Sequence, residues 1–346
     1  TKRAIPMSEP DAMQRKPSSR PAPFLFGMMG VVLVICLGVS FVWYRAISAV
    51  DEGFDALLTR ETALGRQWIC EDKALAGFPF RIEFSCAKIL LSVPATGERY
   101  QFGHTLAVAQ IYQPDLVIIE SDGPLVVTSL DVEPFSVAWQ MARGSIRFQG
   151  RDVPERVSVE ADALTITRGE NGQPPGRISH VEMHALRHAD GFAQDRAYDL
   201  ALIVTGFSEP SLDGLLNRAD VMHVHFDALL TQIMPPVRET ALERIETWRK
   251  NKGMVQIRKF SVERGDVNFV ASGSIALDHV RRPDFQLDLK VKGLEQIMRA
   301  TGQKPELLGL LGGKRAAQGE MAFVLRSKDG QAFLGPLPLG KIPPLY

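Results

Sequence analysis

The chain changes character at Phe24. From there to Tyr44 it reads FLFGMMGVVLVICLGVSFVWY without a charge, and a helix of that length rises about 31 Å, enough to cross a bilayer's hydrocarbon core. Beyond it, Val50, Phe54, Leu57, Leu58 and Leu64 recur at helical spacing among Asp51, Asp55, Arg60 and Glu61, which predicts an amphipathic connecting helix over 45–66. From Trp68 the period becomes that of a strand. In CEDKALAGFPFRIEFSC, residues 70–86, Phe78, Phe80, Ile82, Phe84 and Cys86 share one parity, and Pro79, Arg81, Glu83 and Ser85 the other. Alternate side chains of a strand point to opposite faces, so one face is expected dry and Cys86 inward. The apolar parity then passes to Ile89, Leu91 and Val93, which requires one extra residue near Ala87 and predicts a bulge.

Strand patterns continue at Arg81–Val93, Tyr100–Tyr112, Leu116–Glu120, Leu125–Leu130, Ser136–Met141, Ser145–Gln149, Val157–Thr167 and Ile178–Leu186, with turn signals at 121–124, Arg143-Gly144 and Asn171-Gly172. Leu212, Leu215 and Leu216 suggest a brief helical turn, and Val221–Leu229 a strand. Pro235-Pro236 opens a helix striped by Val237, Ala241, Ile245 and Trp248 and ended by Gly253. Lys259–Arg264 and Val267–Asp278 flank Gly265-Asp266 as a hairpin, and Phe285, Leu287, Leu289 and Val291 alternate with polar residues. A short helix over 294–300 and a hairpin around Asp329-Gly330 complete the reading. The fold class is mainly β with a few helices (α+β), an extended or rolled, largely antiparallel sheet, plus one N-terminal transmembrane helix. Four parts are expected: a disordered cytoplasmic tail over 1–23, the span over 24–44, the connecting helix over 45–66 and a β-rich domain over 67–346. That last domain is of a size to form two lobes, about 67–210 and 211–346.

Charge orients the span. Lys2, Arg3, Arg15, Lys16 and Arg20 precede it, whereas Asp51, Glu52 and Asp55 follow, so the positive-inside rule puts the N-terminus in the cytoplasm. Two readings of the apolar run stand: an uncleaved anchor, or a signal peptide with Ala46-Ile47-Ser48 as its cleavage site. Both export the remainder, which for a bacterial protein means the periplasm. There disulfides persist, so Cys70 and Cys86 are expected to pair, closing a loop worth about 3 kcal/mol; two buried thiols are the alternative in a reducing compartment. Cys36 is read as a packing residue within the span. With 40 basic and 40 acidic residues the net charge is zero, and no basic field exists to attract nucleic acid.

Trp68, Cys70, the run Gly77-Phe78-Pro79-Phe80-Arg81, Cys86, the strand 273–278, Leu334-Gly335-Pro336 and the ending Pro343-Pro344-Leu345-Tyr346 resemble the bacterial family catalogued as domain of unknown function 2125. The resemblance covers the exported part and implies location and architecture, not chemistry. More distantly, strands closed by short helices on a membrane anchor resemble AsmA-like periplasmic proteins, whose curved sheets are thought to hold lipid, an analogy of fold alone.

No residue constellation specifies a reaction. His180, His184 and His188 would stack as metal ligands on a helix, but Val181, Met183 and Ala185 alternate with them as on a strand, where such spacing is about 13 Å. His223 and His225 share one strand face without a third ligand. Ser272-Gly273-Ser274 lies within an alternating strand, where glycine marks a bulge or close approach. At Gly313-Lys314 a phosphate loop fails because positions 308 and 315 are Leu308 and Arg315. No catalytic residue, metal or cofactor is therefore assigned. The leading expectation is a non-catalytic membrane-tethered protein that binds or transfers lipid or another envelope component. A scaffold for envelope proteins is second and an envelope hydrolase third.

Overall fold

The computed structural model describes residues 22–130, 133–150, 153–169, 174–189, 196–211, 213, 220–233, 240–300, 302, 314–315 and 320–346. The tail over 1–21, the turn at Asn171-Gly172, the helical turn at Leu212, Leu215 and Leu216, Pro235-Pro236 with Val237, and Gly313 lie outside the described residues.

The apolar run and the amphipathic segment after it form one unbroken helix, α1 (Ala22–Ala63). No proline lies between them and a lone Gly53 costs only about 1 kcal/mol, so the two expected elements merge. Gly65, at φ 77, ends the helix: the Arg66 N–H reaches the Glu61 carbonyl at 2.9 Å and the Gly65 N–H that of Thr62 at 3.0 Å, a left-handed C-terminal cap. The apolar stretch is exposed over 25–38, Cys36 included.

Among the described residues, 21 strands form one antiparallel sheet. The first ten are β1 (Gln67–Glu71), β2 (Ala74–Ala76), β3 (Arg81–Cys86), β4 (Lys88–Val93), β5 (Glu98–Phe102), β6 (Thr105–Gln110), β7 (Gln113–Ser121), β8 (Leu125–Thr128), β9 (Phe135–Ala138) and β10 (Met141–Gln149). Their pairing shows that they are halves of five longer strands. β1 pairs with β4 and β2 with β3; β4 pairs with β5 and β3 with β6; the same doubling repeats through β5–β8 with β6–β7 and β8–β9 with β7–β10. The long β11 (Val153–Arg168) then takes β10 along its first half and β9 along its second. From there the sheet is a plain meander: β12 (Gly176–Arg187), β13 (Tyr198–Phe207), β14 (Met222–Leu230), β15 (Met254–Arg264), β16 (Val267–Leu277) and β17 (Pro283–Lys292). β19 (Glu320–Lys328) follows β17, with β18 (Lys314–Arg315) and β20 (Gln331–Leu334) on its far side and β21 (Leu337–Lys341) at the edge. β13 pairs with β14, so the ladder continues across position 210.

The interruptions of the first strands fall on one line, a crease across the sheet. They are Asp72-Lys73, Ala87, Gly103-His104, Asp122-Gly123-Pro124 and Trp139-Gln140, continued by Ala163 in β11 at φ 52 and Gly206 in β13 at φ 68. Hydrogen bonds join neighbouring strands along this line, Ala87 N–H to Glu71 O at 2.8 Å, Asp122 N–H to His104 O at 2.8 Å and Gln140 N–H to Asp162 O at 3.0 Å. Close approach dictates Gly103, where a Cβ would lie 2.5 Å from the Asp122 carbonyl oxygen. The bulge expected at Ala87 is thus one member of a row, and a row of extra residues bends a sheet.

The crease corrects the expected strands. Arg81–Val93 and Tyr100–Tyr112 each divide in two, and the expected turn at Arg143-Gly144 lies inside β10. Phe78 and Phe80 do not point into the core: the Arg81 N–H bonds the Gly77 carbonyl at 3.1 Å, closing a turn that leaves both rings exposed. β13 is an additional strand, apolar on both parities over 200–204 and so without the period-two signal. The hairpin at Gly265-Asp266 forms as expected, with Arg264 opposite Val267. Two further helices among the described residues are α2 (Ala241–Lys250) and α3 (Leu294–Ala300). Thr240 caps α2 in a reciprocal box with Glu243. The left-handed residue after it is Lys252, at φ 58, not Gly253; Gly253 is required because a Cβ there would enter the Trp248 ring.

Candidate functional site

Directly opposed residues in a sheet share a face, and the register therefore traces one surface across the molecule. Starting at Phe84 of β3, the row runs through Ala107, Ile119, Gly144, Val159 and Met183. It continues through Leu202, Phe226, Phe260, Ala271, Leu289 and Phe323 of β19. The adjacent row, two residues along each strand, is also wholly apolar, from Ile82 and Ala109 to Leu287 and Leu325. No charged or hydroxyl side chain interrupts either. At about 4.8 Å per strand this face is roughly 50 Å long.

Cover over the face is uneven. At the first edge α1 lies on it, with the Phe54 ring 4.6 Å from Phe84, the Lys73 ammonium 2.7 Å from Asp51, and Trp68 donating its indole N–H to Glu61 at 3.1 Å. Toward the far end Ala228, Ile257, Ala271, Val291 and Phe323 are buried, and Phe226, Phe260 and Phe269 stack edge to face at 6.3 and 5.9 Å. Between these ends the face is open: Val159 and Met183, opposite each other in β11 and β12, are 38% and 46% exposed.

At one end of β14–β17 the same face meets α2 around a cavity of about 550 Å³ lined by Leu230, Ile233, Ile245, Trp248, Val255, Ile275, Leu277 and Leu345. That volume lies within the range of small-molecule sites. The Trp248 indole N–H donates to the Thr231 carbonyl at 2.8 Å, fixing α2 to the sheet. The last residues close the other side. The Leu345 N–H donates to the Arg281 carbonyl at 2.9 Å, the Tyr346 hydroxyl donates to Glu246 at 2.8 Å, and the Arg281 guanidinium lies 5.2 Å over the Tyr346 ring. Arg249, at 2.7 Å, and then Tyr346 hold the Glu246 carboxyl well below the usual carboxylate range. The sequence signal for this closure was the ending Pro343-Pro344-Leu345-Tyr346, whose structural role only the fold reveals. A second, more polar concavity of about 860 Å³ lies on the opposite face, against Ile69, Leu90, Arg99 and Leu130.

The residues singled out from sequence fall elsewhere. Cys70 and Cys86 are joined in a disulfide beside the crease, Cα atoms 5.3 Å apart, with Cys86 fully buried. His180, His184 and His188 lie on β12 with their side chains on the polar face. The His180 ring contacts Asp162 at 2.6 Å and Glu182 at 2.7 Å, and these two carboxylates, Asp162 first and Glu182 second, favour the protonated ring and raise its pKa above the usual 6.5. His184 contacts Ser158 at 3.0 Å and His188 contacts Asp199 at 2.7 Å. Each imidazole therefore has polar partners, Glu182 being shared by His180 and His184, and among the described residues no cluster of three or more metal-binding side chains forms. His223 and His225 sit on β14 opposite Glu263 and Ser261. Gly273 lies in β16 at φ 143, packed on the Gln286 carbonyl of β17, the close approach expected of it.

Fold and site define a class: a β-sheet protein led by one long apolar helix, whose creased antiparallel sheet presents a continuous apolar face. Within that class, the chain belongs to the family described as uncharacterised protein conserved in bacteria (DUF2125), whose model matches residues 43–343. A search of the curated proteins finds no match.

Proposed function

We propose that this protein is anchored in the bacterial inner membrane by α1, with its N-terminus cytoplasmic and its sheet in the periplasm, and that it binds or transfers a lipid or another apolar envelope component. The observation that carries this reading is the open middle of the apolar face at Val159 and Met183, beside a cavity beneath α2 at one end of the same face. An apolar sheet face is stable only against a helix, another sheet or a ligand. Here helices cover the two ends and the ligand covers the middle. The first condition of the reading is supplied by the uncharged stretch of α1, which the rest of the chain does not bury.

The test is mass spectrometry of lipid extracted from the full chain purified in detergent, beside Met183→Glu. This substitution places a carboxylate on the open stretch, where no packed core is broken. Lipid bound to the parent chain and depleted several-fold from the variant supports the reading. Equal, background-level lipid in both ends it. A second reading, docking of an envelope protein, is favoured by one feature, the exposed strand β21 at the sheet edge, which leaves backbone groups free to pair with a partner strand. Crosslinking from Leu339 to a partner, with lipid absent, would favour it over the first.

A further inference from the structure

The run Gly77–Arg81 is packed not into the sheet but against the helix where the apolar stretch ends. The Phe78 ring stands edge-on to Trp43 at 5.3 Å, and the Trp43 indole N–H donates to the Arg81 carbonyl at 3.0 Å. Eleven positions further along α1, Phe54 meets Phe84. β3 therefore runs beside the helix, and the turn before it points back toward the apolar stretch. A second turn reaches the same level: the Ile111 N–H bonds the Phe80 carbonyl at 3.0 Å, placing Tyr112 beside it. Phe78, Phe80 and Tyr112 are 58%, 64% and 74% exposed.

Three large rings exposed together at the end of a water-soluble sheet are costly in water, since each carries a large apolar area. Tryptophan and tyrosine at the end of an apolar span mark the level of the lipid headgroups, where a ring can be apolar at one end and wet at the other. Trp43 holds that position and touches the turn directly. We propose that Phe78, Phe80 and Tyr112 form a foot that enters the headgroup region of the bilayer crossed by α1. The foot fixes the tilt of the sheet on the membrane and brings the α1-covered end of the apolar face to the lipid surface. This rests on the reading of α1 as a span.

The test uses the full chain with Cys36→Ser, reconstituted in phosphatidylcholine–phosphatidylglycerol vesicles and labelled with an environment-sensitive fluorophore at one introduced cysteine. Phe80→Cys reports on the foot, Leu33→Cys on the span and Leu130→Cys, 84% exposed and at the opposite end of the strands, on bulk water. The expected result is several-fold stronger quenching by lipid nitroxides at position 80 than at 130, greatest with the shallow nitroxide, and quenching at 33 by the deep one. Quenching at 33 with position 80 as wet as 130 would overturn the foot alone. A blue-shifted label at 80 that no lipid nitroxide quenches would also overturn it, showing protein rather than lipid against the turn. Absence of quenching at 33 would overturn the span, and the foot with it. Phe78→Cys repeats the measurement should the label at 80 disturb the fold.

Discussion

Replacing Gly273 by alanine should break the sheet where β16 passes closest to β17. Two effects add. At φ 143 the backbone lies where residues with a side chain rarely go, which costs on the order of 1–3 kcal/mol. The new methyl would also meet the Gln286 carbonyl oxygen and sit 2.9 Å from Leu287 Cα and 3.0 Å from Gln286 C. These are backbone atoms, so no rotamer change relieves the contact; β17 must move away, weakening ladder hydrogen bonds worth about 1 kcal/mol each. The sum is about 3–5 kcal/mol. Gly144 provides the control, because it lies in the same apolar row yet a Cβ there meets its nearest atom at an ordinary 3.7 Å; alanine at that site should be neutral or stabilise by about 0.4–1 kcal/mol. Urea unfolding of both variants in the same detergent, followed by tryptophan fluorescence, reads the difference: with a slope of about 3 kcal/mol/M, Gly273→Ala lowers the midpoint by roughly 1 M or more. Equal midpoints for the two variants would refute the close approach of β16 and β17, and with it the register that defines the apolar face.

Removing the disulfide by Cys70→Ser should lower stability by about 3 kcal/mol, as expected for a closed loop of roughly 15 residues, and intact mass with and without reductant should differ by two hydrogens in the parent chain alone. His180 is a group whose folded pKa is raised, so its contribution is complete below the unfolded value of 6.5 and is lost as pH rises through the folded value; denaturant midpoints of the parent should fall across that window, and those of His180→Gln should not show this loss. Deleting Ala163 should be far more damaging than Ala163→Gly, which keeps the residue count and relieves a φ of 52 at a net effect within about 1 kcal/mol; a folded deletion variant, judged by protease resistance, would contradict the role assigned to the crease.

Local period sufficed where an element answers to its own residues. The hairpin at Gly265-Asp266, the alternation of β17 and the inward Cys86 follow from spacing alone, whereas the Thr240–Glu243 capping box before α2 was a signal that the reading from Pro235-Pro236 did not use. What spacing leaves open depends on neighbours. Phe78 and Phe80 continue the parity of β3, yet the turn at Gly77 carries them toward Trp43, a contact 35 residues away in sequence. β13 has apolar residues on both parities because one set faces the dry surface and the other lies beside a polar face of intermediate exposure. Tyr346 acts on Glu246 across a separation of 100 residues, which no window along the chain connects.

The crease and the apolar face require one another. A strand that bends by taking one extra residue also exchanges its faces, so an unchanged pattern would turn the dry side outward beyond the bend. The sequence compensates in strand after strand. The dry set passes from Cys86 to Ile89 across Ala87, from Phe102 to Thr105 across Gly103-His104, from Val137 to Ala142 across Trp139-Gln140, and from Ala161 to Leu164 across Ala163, as the cross-strand partners show. A sheet whose only need was a closed core could avoid the bend, since straight strands hold a face with simple alternation. Here the parity change recurs at the same line, keeping one surface apolar on both sides of the bend, covered by α1 at its edge and bare at Val159 and Met183. The bend is thus encoded together with the surface it shapes.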